Sequence, residues 1–140
     1  MTATEHATAT PPSRIDAMLA AARSRLHRLE PAQAARALAE NGDAVLVDIR
    51  PAAQRAAEGE IPGAVIVERN VLEWRFDPTS DACLPLATGD DLQVIVICSE
   101  GYTSSLAADS LRQLGLWRAT DVIGGFHGWA ATGLPTCPAR

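Results

Sequence analysis

The stretch VIVICSEGYTSS, Val94 to Ser105, decides the fold. Four β-branched apolar residues run straight into Cys98. A polar loop with one glycine follows, and then a helix-forming segment, TSSLAADSLRQLG. An unbroken apolar run of this kind reads as a strand buried on both faces, as in a parallel sheet covered by helices. The run therefore sets both the class of the fold and a question of chemistry, because it delivers a thiol to the end of its strand.

The same alternation extends to both sides. AVLVDIR is a compact apolar strand ending in charge, and PAAQRAAEGE is a short helix stopped by Gly59. AVIV is a strand, and NVLEWRF is a helical turn or two, opened by Asn70 as a cap and closed before Pro78. TDVIGG is a last strand and FHGWAATG a last helix. Upstream, Pro31 sits in the first turn of a helix over AQAARALAENG, with Gly42 just past its end. In the helix after the loop, Leu106, Leu111 and Leu114 are expected to point inward, with Gly115 at its C-terminal side. Residues 78 to 91 form the one long irregular connection. Strands alternating with helices give an α/β class with a parallel sheet and helices on both faces.

Three segments divide the chain. Residues 1–13 are Thr, Ala and Pro with almost no large apolar side chain, the composition of a flexible tail. Residues 14–27 form an N-terminal helix with the stripe Ile15, Met18, Leu19, Ala22 and Leu26, and with Arg14, Arg23 and Arg25 on its outer face. Such a stripe suits a membrane surface or a partner, but the plainer expectation is that it packs on its own domain. Residues 28–140 form a single domain.

Composition limits the function. The chain has 140 residues, a net charge of −5 and a pI near 5.1, which does not favour nucleic acid or an acidic membrane surface as a partner. No apolar run approaches the ~20 residues of a membrane span, and MTATEHATATPPSR lacks the basic-then-apolar order of a secretory signal. Cys83, Cys98 and Cys137 form no paired framework, and with His6, His27 and His127 they match no zinc spacing, so no metal or other cofactor is expected. A reducing cytoplasm is the simplest compartment.

Open α/β sheets bind ligands beyond the carboxyl ends of their strands, which singles out DIR (48–50), ERN (68–70) and CSEGYT (98–103). At Cys98 the loop's backbone N–H groups can turn inward as an anion-binding nest, and the helix that follows adds partial positive charge. Both favour the thiolate, the nucleophilic form of cysteine, and Gly101 lets the loop bend sharply against the sulfur. The plain alternative is a small hydrophobe ending a core strand. Either Cys83 or Cys137 would serve to resolve an oxidised Cys98, but nothing in the sequence favours that role for them.

Four stretches together resemble the rhodanese-like sulfurtransferases. VLVDIR is similar to that family's Asp-x-Arg strand end, and EGEIPGAVIV to its Gly-His-Ile-Pro-Gly-Ala segment. CSEGYT is similar to its active loop, and DVIGGFHGWAATGLPT to its closing Gly-Gly strand, helix and Gly-Leu-Pro tail. The likeness covers about residues 28 to 136 in the right order. It implies a rhodanese-like fold with a parallel sheet of about five strands and a sulfurtransferase that forms a persulfide on Cys98. It also implies a cradle of Ser99, Glu100, Gly101, Tyr102 and Thr103. Its partners would be a small sulfur donor and a thiol or cyanide-like acceptor, a protein cysteine among the candidates. Asp48 would fix a neighbouring strand end by pairing with Arg50, a role not distinct from a plain salt bridge.

The departures from the pattern matter. Glu60 stands where the family usually has His, and Glu100 is acidic where well-known thiosulfate enzymes are basic. Arg69 and Arg75, flanking Trp74, are candidates for a positive wall or an aromatic lid, set against surface pairing and core packing. Two alternatives share the fold. One is a non-catalytic binding or sensing module. The other is a phosphatase or arsenate reductase, whose cysteine is followed six residues on by a phosphate-gripping arginine; here that position is Ser104.

Overall fold

The structure, a computed structural model, describes residues 10–139. The tail expected over residues 1–13 falls, for residues 1–9, outside the described residues. In chain order the elements are α1 (Arg14–Ser24), α2 (Pro31–Glu40), β1 (Ala44–Asp48), α3 (Ala52–Glu58) and β2 (Val65–Ile66). A 3-10 turn (Arg69–Val71) leads into α4 (Leu72–Phe76), followed by β3 (Gln93–Ile97), α5 (Thr103–Gln113), β4 (Thr120–Asp121) and α6 (Gly125–Ala131).

The sheet is parallel and ordered β2-β1-β3-β4, with Ala44 opposite Gln93 and Asp48 opposite Ile97. It has four strands rather than about five. A fifth position is reduced to one parallel bridge, Leu29 to Val122, because Pro31, two residues on, lacks an N–H and starts α2. Successive residues of β3 feed opposite faces. Val94, Val96 and Cys98 join the core under α4 and α5, with Leu72, Phe76 and Leu111. Ile95 and Ile97 join the core under α2 and α6, with Ala34, Phe126 and Trp129. Side chains such as Phe76 and Leu72, both at 0% exposure, each contribute about 1.5–3 kcal/mol by leaving water.

Three local expectations change. In α5 the inward face is Ser104, Ser105, Ala107, Ala108 and Leu111, while Leu106 is half-buried and Leu114 is exposed. Small side chains let this helix lie close to the sheet. Asn70 lies inside the 3-10 turn, whose cap is Glu68. In α1 only Leu19 and Ala22 are buried and Ile15 and Met18 are exposed. Arg23 is half-buried, while Arg25 stays exposed. They reach α5, where Arg25 meets Asp109 at 2.7 Å and Arg23 meets Ser105 at 3.0 Å. The helix packs against its own domain, turned so that these cations find partners.

Candidate active site

Strand order reverses between β1 and β3, and Cys98 lies just past the carboxyl end of β3, at this switch point. The thiol is 5% exposed. It opens onto a cleft of about 190 Å³ lined by Gln54, Cys98, Ser99, Glu100, Tyr102 and Thr103. A larger groove of about 520 Å³ lies elsewhere, between α2, β1 and α6, but its lining of Ala, Leu, Ile, Val, Pro, Gly and Trp offers no nucleophile and no charge.

The loop is held by its carbonyls. Cys98 O accepts from Phe126 N at 2.7 Å, Ser99 O accepts from His127 N at 3.0 Å, and Gly101 O accepts from Arg23 at 2.7 Å and Arg28 at 3.0 Å. In a trans peptide the N–H points opposite to the C=O, so tying these carbonyls outward turns the next residue's N–H inward. The Gly101 N–H donates to Cys98 Sγ at 3.3 Å. Among the described residues, the N–H groups of Glu100, Tyr102, Thr103 and Ser104 have no protein acceptor. One donor thus faces the sulfur, in a loop whose other N–H groups are open, an arrangement suited to an anion on or beyond Sγ.

Two glycines make the loop possible. Gly101 has φ +87°, and a Cβ there would fall 2.8 Å from Gly124 N. At Gly125, with φ +59°, a Cβ would fall 2.5 Å from Cys98 O. Neither position accepts a side chain without moving the backbone.

Below the loop, Asp121 is fully buried and is compensated by Arg28 at 2.9 Å and by the hydroxyls of Ser104 and Ser105, both at 2.8 Å. Beside the loop, Glu58 accepts from Ser99 Oγ at 2.9 Å and Arg50 at 3.0 Å and pairs with His127 at 3.0 Å. Burial pushes the Glu58 carboxyl up, but hydrogen bonds from Arg50, Ser99 and His127 more than offset it and leave it below the usual carboxylate range.

The expected site residues therefore separate. Cys98, Ser99, Glu100, Gly101, Tyr102 and Thr103 share one loop, with Glu100, Tyr102 and Thr103 exposed. Asp48 and Arg50 stand at the neighbouring strand end but face inward. Arg50 is 1% exposed and bonds Asp48 at 2.7 Å, Glu58 and the Gly59 carbonyl, with its guanidinium 4.2 Å from the Phe126 ring centroid. Each of its three guanidinium nitrogens has a protein acceptor, so the pair ties the strand end to the end of α3. Arg69 is committed to Glu73 at 2.9 Å and does not line the cleft; Arg75 bonds the Ala82 carbonyl and anchors the long connection. Trp74 is 59% exposed. Cys83 is half-buried against the core, and the Cys137 backbone pairs with Glu60.

Sequence reasoning missed Arg23, Arg28, Glu58 and Asp121. One signal was present: Asp121 sits inside an apolar strand, and a buried carboxylate requires a cation. Arg28, three residues before α2, was the unassigned candidate.

Three comparisons bear on this site. The Rhodanese-like domain family model matches residues 30–132. The adenylyltransferase and sulfurtransferase MOCS3 of Arabidopsis thaliana is 30% identical over 101 residues, 67% of this chain and 22% of that protein. The chain spans only about a fifth of the curated relatives it matches. Among solved structures, a protein of unknown function from Rhodopseudomonas palustris, described as a possible tyrosine phosphatase, superposes with a TM-score of 0.79. It is 32% identical, covering 91% of this chain and 97% of that one. The polysulfide-sulfur transferase homodimer of Wolinella succinogenes superposes with a TM-score of 0.66 over 87% of this chain and 85% of that one; at 24% identity it shares the fold.

Proposed function

The chain belongs to the family of rhodanese-like domains, and from that membership we propose that it is a sulfurtransferase that carries a sulfane sulfur as a persulfide on Cys98. The observation that carries the reading is the Cys98 sulfur at a strand end, accepting the Gly101 N–H at 3.3 Å in a loop whose neighbouring backbone N–H groups are open. The thiolate attacks the outer sulfur of a donor. A bond forms between Sγ and that sulfur, the donor's S–S bond breaks, and its electron pair leaves with the donor's remaining thiolate or sulfite. The outer sulfur of the persulfide then carries the negative charge, within reach of the nest. An acceptor nucleophile, a small thiol, a cyanide-like anion or a protein cysteine, attacks that sulfur and returns the pair to Sγ. The scheme uses no cofactor. It requires Cys98 to be reduced between turnovers, which a reducing cytoplasm maintains.

Intact-mass measurement after exposure to a persulfide donor tests this. The expected result is one added sulfur atom, lost in Cys98→Ser and retained in Cys83→Ser and Cys137→Ser. Sulfur transfer that survives Cys98→Ser overturns the reading.

A second reading is raised by the Rhodopseudomonas palustris relative's description as a possible tyrosine phosphatase. Against it, the sixth residue past Cys98 is Ser104, fully buried and bonded to Asp121, so no arginine stands there to grip phosphate. Negligible hydrolysis of aryl phosphates beside measurable sulfur transfer is the expected outcome, and the opposite ordering favours the phosphatase.

A further inference from the structure

We propose that Arg23 and Arg28, which precede the matched domain at residues 30–132, are positioning residues of the sulfur cradle. They grip the Gly101 carbonyl from outside and so present the Tyr102 N–H to the sulfur on Cys98. The proposal rests on the sulfur-carrier reading of Cys98.

The argument starts from one peptide group. Gly101 O receives two guanidinium groups, from Arg23 at 2.7 Å and Arg28 at 3.0 Å. The carbonyl and the Tyr102 N–H belong to the same planar unit and point in opposite directions. With the oxygen fixed toward the arginines, the N–H is fixed pointing away from them, where it has no acceptor among the described residues. Two cations on the oxygen also polarise the amide and strengthen the N–H as a donor. A fixed donor costs no reorganisation when charge appears on the outer sulfur.

The arginines are themselves fixed. Arg28 forks onto buried Asp121, with its Nε 2.9 Å and its second nitrogen 3.2 Å from the carboxylate oxygens. Arg23 Nε donates to Ser105 Oγ at 3.0 Å, and that hydroxyl donates to Asp121 at 2.8 Å. A closed circuit thus runs from α1 through the first turn of α5 and β4 to the apex of the loop. Gly101, with its φ of +87°, would otherwise be free to rotate this peptide. A purely structural salt bridge needs the Asp121 contacts but has no need for both arginines to converge on one loop carbonyl.

The test uses the full chain with Arg23→Gln, Arg28→Gln and the matching Lys variants. Thermal unfolding verifies the fold. The readouts are the pH profile of Cys98 alkylation by iodoacetamide, the lifetime of the loaded persulfide by intact mass, and kcat against KM for sulfur transfer. Each Gln variant is expected to shift the alkylation profile to higher pH, shorten the persulfide lifetime and lower kcat with little change in KM. The loss in kcat should be about 10- to 100-fold, the scale seen where the hydrogen-bond partners that orient metal ligands are removed. Lys, which keeps the charge but not the fork, should recover only part, and the effect should persist in high salt. Arg23→Gln leaves the Arg28–Asp121 pair intact, so it decides the matter if Arg28→Gln unfolds. A folded Arg23→Gln with unchanged alkylation profile, lifetime and kcat overturns the proposal. So does a shift that Lys fully restores and salt removes, which would be a through-space charge effect. If the parent takes up no sulfur, the carrier reading fails instead, and the alkylation profile still reports whether the arginines shape the nest.

Discussion

The Ser99 hydroxyl donates to Glu58 at 2.9 Å, and through that one carboxylate the residue beside the thiol is joined to buried Arg50 and to His127 on α6. Glu58 lies at the end of α3, just ahead of Gly59, whose φ of +104° turns the chain back toward the sheet. The side wall of the loop thus depends on a helix that contributes no buried residue of its own.

That carboxylate gives the loop an acid sensitivity. The folded value for Glu58 is depressed: burial alone would raise it, but Arg50, Ser99 and His127 lower it further than burial raises it. A depressed folded value means that the contribution to stability is complete above the ordinary carboxylate range and is lost as pH falls through the folded value. Thermal unfolding at a series of pH values should therefore show a fall on the acid side that is shallower in Glu58→Gln. At neutral pH the variant should be less stable by about 1–3 kcal/mol, the scale of losing a charged hydrogen-bond partner. Parallel curves for the two proteins would mean that Glu58 is not part of the acid response. Glu73 and Asp109 are also held low, Glu73 by Ser110 and Arg69 against burial and Asp109 chiefly by Arg25, so the difference between the curves is the informative quantity.

Gly125→Ala should disable the loop without touching a side chain in it. Its φ is +59°, and the added Cβ would sit 2.5 Å from Cys98 O and 2.7 Å from the nitrogens of Glu100 and Gly101. The left-handed conformation alone costs roughly 1–2 kcal/mol for a residue with a Cβ, and all three contacts are backbone. A lower melting temperature together with loss of Cys98 sulfur loading is expected. Full loading in this variant would mean that the loop tolerates displacement.

Much of this was legible in the sequence, and the reason is local. The unbroken, β-branched VIVI run reads as a strand buried on both sides, and both of its faces are buried under helices. Asp48 and Arg50 were legible as a pair because they lie two residues apart at a strand end. The clamp on the loop was not legible, because Arg23 and Gly101 are 78 residues apart and meet only through the packing of α1 on α5. The stripe through Ile15 and Met18 suggested another face for that helix. What outweighed it was the pairing of two arginines with Asp109, Ser105 and the loop carbonyl. The fifth strand failed for a covalent reason, the proline two residues after Leu29.

Arg50 should behave as a brace. Removing it leaves Asp48, 1% exposed, as an uncompensated buried charge. Arg50→Ala should therefore cost about 3–5 kcal/mol in urea unfolding. Arg50→Lys keeps the charge but cannot reach Asp48, Glu58 and the Gly59 carbonyl at once, and should cost less. Where the Lys variant stays folded, its KM for any sulfur donor should match the parent. A raised KM without a loss of stability would return Arg50 to the binding surface.

Glu100 is exposed, lines the cleft beside Cys98 and has no ion-pair partner among the described residues. Its charge therefore stands at the mouth through which a donor reaches the thiol. A dianion such as thiosulfate approaching to about 4 Å of a carboxylate meets a repulsion of about 1 kcal/mol per charge pair in bulk water and about 4 kcal/mol at an effective dielectric of 20. An open cleft lies nearer the first figure, so the effect on KM should be several-fold to about tenfold. Glu100→Lys should lower the KM for thiosulfate, and Glu100→Gln, which removes the charge and keeps the shape, should recover part of that gain. The gain should shrink as salt rises, since exposed charges are screened beyond about 8–10 Å at physiological ionic strength. An uncharged persulfide donor should respond far less, because it lacks the charge that is repelled. A competing role is available, since Glu100 lies just ahead of α5 and a carboxylate there favours the helix N-terminus. On that account the substitutions would lower the melting temperature slightly and leave both donors alone. Measuring KM for the two donors at two salt concentrations separates the accounts: values that are equal and salt-independent across parent, Gln and Lys would mean that Glu100 does not select the donor.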